Sequence, residues 1–126
     1  MKILMDTHIF LWFINNDSKL SLELKALIES DLDILISIAS LWEISIKVST
    51  GKLTLPNSVG DFFNHHISIN DFEILNIEIP HLEIISTLPF HHRDPFDRML
   101  IAQALSRDYH LISVDSKFTK YDCKLV

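Results

Sequence analysis

The chain has 126 residues, 48% of them hydrophobic and only two of them glycine, which is enough to bury a real core in a single domain over 1–126. Its one cysteine, Cys123, excludes an internal disulfide and a multi-cysteine zinc site, and points to a reducing compartment, the cytoplasm. A formal net charge of −6 excludes a broad basic face for nucleic acid, so any polyanion must be met locally, by a few Lys and Arg and by cations.

Lys2 to Met5 reads as a short apolar strand ending at Asp6-Thr7, and Asp6 interrupts the apolar run before a signal-peptide core can form. His8 to Asn16 is the first helix, apolar nearly all round because Ile9 to Ile14 are consecutive. That run is far too short for a membrane span, and it predicts a helix sunk in the core or covered by another chain. A second helix runs from Leu20 or Ser21 to Ser30. Asp33 to Ile38 is a strand continuous in Ile and Leu, as expected where both faces are covered. Ser40-Leu41-Trp42-Glu43 opens a helix to about Ser49, which Gly51 closes. Residues 57–66 read as helix, Phe72 to Ile77 as a third strand, and Pro80 begins a short helix that stops by Pro89. Asp94 caps a further helix with Pro95 at its first position and Asp97 at its third. His110 to Val114 is a fourth strand, a brief turn or helix follows from Ser116, and Cys123 to Val126 is a fifth strand. This alternation predicts an α/β three-layer sandwich, α/β/α, with a parallel five-stranded sheet.

Asp6, Glu43, Asp97 and Asp115 each fall at the entry to a helix or turn, three of them just past an apolar strand. Each taken alone is well explained as a cap: Ser40-x-x-Glu43 matches a capping box, and Asp6, Asp94 and Asp115 sit at helix or turn starts. Together they deliver carboxylates to one rim of the sheet, where strand order reverses and ligands bind. Converging carboxylates repel unless a cation neutralises them. Hard cations such as Mg²⁺ or Mn²⁺ take oxygen ligands and assist attack of water on a phosphodiester.

Asp6-Thr7-His8, Ser40-x-Trp42-Glu43-Ile44, Asp94-Pro95-Phe96-Asp97-Arg98 with Ala102-Gln103-Ala104, and Ser113-x-Asp115 with Phe118 together resemble the PIN-domain ribonucleases, specifically the VapC-type toxins of toxin–antitoxin pairs. The resemblance covers essentially the whole chain in order. It implies a PIN fold, Mg²⁺ or Mn²⁺ dependence, endoribonuclease activity on RNA, and inhibition by a cognate antitoxin protein, in a homodimer or a toxin–antitoxin hetero-oligomer. The family's acidic quartet falls on Asp6, Glu43, Asp97 and Asp115, and Asp94 is placed beside it as the helix cap.

Around the quartet, Thr7 and Ser113 are placed to hydrogen-bond a carboxylate or a water, although hydroxyls there are more often caps. Lys47 pairs with Glu43 one turn earlier in preference to RNA, and Lys52 is a further phosphate candidate. Arg93 and Arg98 are the better candidates for phosphate or a partner's carboxylate, because guanidinium binds both bidentately. His91 and His92 read as solvated loop histidines, and Trp12 and Trp42 as core or interface aromatics. The rival reading is a non-catalytic protein-interaction module on the same fold. A phosphoacceptor receiver domain ranks lower, because Asp6 has no acidic neighbour and strand three ends in Ile77-Glu78.

Overall fold

Strand β1 (Lys2–Met5) alternates sides as a strand must, with Ile3 and Met5 to one face of the sheet and Leu4 to the other. Both faces are buried, and β2 (Asp33–Ser37) repeats the pattern with Ile34 and Ile36 against Leu35. Because neither face meets water, the apolar runs need no polar alternation. The computed structural model describes residues 1–126 and completes the sheet with β3 (Glu73–Leu75), β4 (His110–Ile112) and β5 (Lys124–Leu125). All pairings are parallel, in the order β3-β2-β1-β4-β5. Leu4 stands between Leu35 on one side and Leu111 on the other.

Each face has its own core. On one, Ile3, Met5, Ile34 and Ile36 pack with helices α1 (Thr7–Ile14), α2 (Leu22–Ile28), α3 (Ile38–Ser49) and α4 (Val59–Ile69) through Ile9, Phe10, Ile28, Ile44 and Phe62. On the other, Leu4, Leu35 and Leu111 pack with α6 (Pro95–Arg107) through Leu100, Ile101 and Ala104. Phe118 joins them from a 3-10 turn (Ser116–Lys120), and α5 (Ile79–Thr87) lies over α6. The three-layer α/β/α arrangement is thus built from side chains that each contribute roughly 2 kcal/mol by leaving water.

Several boundaries differ from the sequence reading, each for a local reason. α3 begins at Ile38 with Ser37 as its cap, the Ser37 hydroxyl accepting from the Ala39 N–H at 3.0 Å. Ser40 is therefore inside the helix, and the expected Ser40–Glu43 capping box does not exist. β3 is shorter than Phe72 to Ile77: Phe72 turns into the core, and the Asn76 carbonyl leaves the ladder to accept from Gln103. α1 is largely sunk, with Ile9 and Phe10 fully buried and Leu11 to Ile14 half-buried against the same core. The exposed apolar stripe lies instead on α3, where Ile38, Trp42 and Ile46 follow one another at one-turn spacing.

Candidate active site

From β1 the chain steps to β2 and β3 on one side, then returns to place β4 and β5 on the other, so the order reverses between β1 and β4. The connections leaving these two strands part in opposite directions and open a crevice at their carboxyl ends. The Asp6 N–H donates to the Ile112 carbonyl at 3.0 Å, holding the two strand ends together at its floor.

Asp6 is 3% exposed and caps α1, its Oδ1 accepting from the Ile9 N–H at 2.8 Å. Burial pushes its carboxyl above the ordinary carboxylate range, against the Ser113 hydroxyl and Ile9 N–H that favour the charge. Ser113 also accepts the Asp115 N–H at 3.1 Å, and Asp115 in turn caps the 3-10 turn by accepting from the Lys117 N–H at 2.9 Å. Ser113 therefore stands between the acids of β1 and β4.

Glu43 stands in the second turn of α3 and is buried. Thr7 Oγ1 lies 2.6 Å from Glu43 Oε1 and 2.9 Å from Ser40 Oγ. A hydroxyl has one proton, and the shorter contact goes to the carboxylate, so Thr7 donates to Glu43 and the Ser40 proton completes the longer contact. Lys47 reaches Glu43 Oε2 at 3.5 Å, the pairing expected one turn along the helix.

Asp94 caps α6 as the sequence indicated, with Oδ1 accepting from the N–H groups of Phe96 and Asp97. Asp97 is pushed up to about 7, first by burial and then by the negative charges of Asp94, Glu43, Asp6 and Asp115. A single carboxyl that feels all four of these acids places the quartet in one crevice.

The donor set is all oxygen, and burial and the neighbouring acids raise the pKa of two of its carboxyls, Asp6 and Asp97. That chemistry fits a hard divalent cation, which Asp6, Glu43, Asp97 and Asp115 would hold. As they stand, no three of these side chains close on a single point tightly enough to grip an ion. Each is engaged with a neighbouring N–H, hydroxyl or ring.

Two residues occupy places the sequence did not suggest. Arg98, expected to meet phosphate, is 5% exposed and turned inward: its guanidinium donates to the carbonyls of Leu88 at 3.1 Å and Pro89 at 2.9 Å and lies 3.9 Å over the Phe90 ring. It clamps the loop before α6 and has no free fork for a phosphate. His92, expected in solvent, is 8% exposed and sits with Nε2 3.6 Å from Asp97 Oδ2, while His91 stays exposed. Burial lowers the His92 pKa and raises that of Asp97, so both groups are pushed toward their neutral forms and the contact is no simple ion pair. Its position in the turn leading to Asp97 was a usable signal. Its partner Tyr121 was not foreseeable from local sequence.

A cleft of about 260 Å³ adjoins the acids, lined by Glu43, Lys47, Lys52, Asp94 and Phe96, so Lys52 does face the site. The largest cavity, about 620 Å³, lies at the opposite end of the sheet around Asp31, Asp33, Asp71 and Glu73, away from the quartet.

The family model for the PIN domain matches residues 3–124. The chain belongs to the PIN-domain family. Members of this family are generally nucleases. No curated protein matches the sequence. Its fold is similar to that of VapBC2 from Rickettsia felis bound to a DNA fragment from its promoter, at 17% identity and TM-score 0.75 over 100% of this chain and 98% of that one. VapBC-1 from nontypeable Haemophilus influenzae gives 16% and 0.71 over 100% and 97%. A toxin–antitoxin complex from Klebsiella pneumoniae gives 18% and 0.64 over 98% and 95%. No helix of this PIN domain is long and apolar enough to cross a membrane.

Proposed function

We propose that this PIN domain is a Mg²⁺- or Mn²⁺-dependent endoribonuclease, the toxin of a toxin–antitoxin pair working in the cytoplasm. The observation that carries the reading is the gathering of Asp6, Glu43, Asp94, Asp97 and Asp115 at the β1–β4 crevice, where burial and the neighbouring acids push the Asp97 carboxyl up to about 7. Spending stability on converging negative charge is what a cation site requires and what a set of helix caps does not. When bound, the cation supplies positive charge that polarises a phosphodiester oxygen and the attacking water. Asp6 and Asp97 would be its principal ligands, and Glu43 and Asp115 would complete the acidic site. Thr7 fixes the rotamer of Glu43, Ser113 orients Asp6, and Lys52 offers a positive charge to the RNA backbone at the cleft mouth. No Ser or Cys nucleophile is needed.

The toxin role is supported by likeness to solved toxin–antitoxin complexes and by the α3 stripe. Trp42 is 58% exposed and packs edge-on against Phe96, leaving an apolar face for an antitoxin or a second copy of the chain. The deciding experiment incubates purified protein with RNA and, separately, with DNA, in Mn²⁺ and in chelator, alongside Asp6→Asn and Asp97→Asn. Metal-dependent cleavage of RNA, lost in both variants, is the expected result. Because Asn caps a helix about as well as Asp, a pure capping role predicts folded variants with unchanged behaviour. Near-wild-type, metal-dependent cleavage by both variants would sink the assignment of Asp6 and Asp97, and absence of metal-dependent cleavage by the wild-type chain would favour a non-catalytic interaction module.

A further inference from the structure

Tyr121 gathers an unusual number of donors onto one phenolic oxygen. The backbone N–H groups of His91 and His92 point at it from 3.1 and 3.2 Å, and Arg98 approaches at 3.5 Å. An oxygen so supplied has no lone pair to spare for another donor, and its own O–H must find an acceptor. The remaining neighbour is His92 Nδ1, at 3.1 Å. The Tyr121 proton therefore goes to Nδ1, which must be bare, and a neutral imidazole with a bare Nδ1 carries its hydrogen on Nε2.

His92 Nε2 is buried and has no hydrogen-bond partner, and Asp97 Oδ2 lies 3.6 Å from it. A shift of roughly half an ångström brings that pair into N–H···O range. The ring cannot easily turn away, because Phe118 packs edge-on against it with centroids 5.7 Å apart and Tyr121 flanks it at 5.6 Å. We propose that His92 is a positioning residue for Asp97: Tyr121 fixes the imidazole as the Nε2–H tautomer, and that N–H is aimed at Asp97 Oδ2, orienting the carboxylate for its ligand. Ligating carboxylates elsewhere are held in the same manner by outer hydrogen bonds. The proposal rests on the metal-nuclease reading and adds to it a route by which the chain segment after the 3-10 turn shapes the site.

The test has a part that needs no activity. Long-range proton–nitrogen NMR of the full chain in chelator, above pH 7, is expected to show His92 protonated on Nε2 with a bare Nδ1, and Tyr121→Phe is expected to abolish that preference. His92→Phe keeps the ring packing and removes both nitrogens. It is expected to weaken Mn²⁺ binding about tenfold or more and to lower kcat with little change in KM for RNA. His92→Gln, whose amide N–H can reach the place of Nε2, is expected to recover most of the loss. A proton on Nδ1 in a chain that binds Mn²⁺ overturns the role of His92 alone. A chain that shows the Nε2–H tautomer yet binds no Mn²⁺ overturns the nuclease reading and the positioning role with it. Unchanged Mn²⁺ affinity and kcat in a folded His92→Phe also overturns the proposal.

Discussion

Asp97 is where the cost of the crevice is concentrated. Its folded-state pKa, about 7, lies above the ordinary 3.8, so between those values the native state binds more protons than the unfolded one. Stability from this group therefore falls as pH rises from about 4 to about 7. Asp6 is shifted the same way, while buried His81 and His92, with lowered pKa values, act oppositely below pH 6.5. The Asp97→Asn variant isolates the one effect. In chelator its melting temperature is expected to exceed that of wild type by more at pH 8 than at pH 5, and saturating Mn²⁺ is expected to shrink or reverse the difference; thermal melts at the two pH values check it. Arg98 gives a second prediction of another kind. Arg98→Met strips hydrogen bonds from two backbone carbonyls beneath the loop before α6 and is expected to cost about 3 kcal/mol in urea unfolding, whether or not metal is present. A loss confined to RNA binding would instead restore Arg98 to the phosphate role.

At the scale of elements, α3 carries both a structural and a functional end. Ser37→Ala removes its cap and is expected to cost about 1 kcal/mol with little effect on metal affinity. Thr7→Val leaves the Glu43 carboxylate without its 2.6 Å donor, and is expected to cost about 2 kcal/mol and to weaken Mn²⁺ binding as well. Calorimetric titration beside denaturant unfolding separates the two. The contrast also marks what the sequence made legible. The strands, their parallel direction and the Asp94-Pro95 start of α6 follow from apolar runs, the strand–helix alternation and caps, which are legible along the chain, whereas the strand order is not. The crevice acids were legible because three of them terminate such runs. Ser40 was misread because two serines three apart both suit an N-cap, and only packing of Ser40 against Thr7 decides between them. Arg98 and His92 were misread because their partners, Leu88 and Pro89 in one case and Tyr121 in the other, are set by how a loop folds over a helix, and no periodicity records that.

For the whole molecule, the α3 stripe of Ile38, Trp42 and Ile46 is the apolar surface left beside the crevice. Trp42→Glu is expected to reduce self-association or antitoxin binding, read by light scattering, while leaving the unfolding midpoint nearly unchanged because Trp42 is mostly exposed. The sheet order has one more consequence, in the time domain. β1 is the first strand made and the central one, yet its second neighbour, β4, comes almost at the end of the chain, pairing residue 4 with residue 111. Closing so long a loop is slow compared with forming local helices. Asp6, Glu43 and Asp97 are thus all synthesised before the segment that holds Asp115 and Tyr121 can arrive, and a nascent chain carries three quarters of its acidic set without the crevice that assembles them. A chain ending at residue 109 is expected to neither bind Mn²⁺ nor cleave RNA. In this architecture the acids cannot assemble until β4 pairs with β1, so on the proposed reading a nuclease stays silent until the segment holding Asp115 has been made.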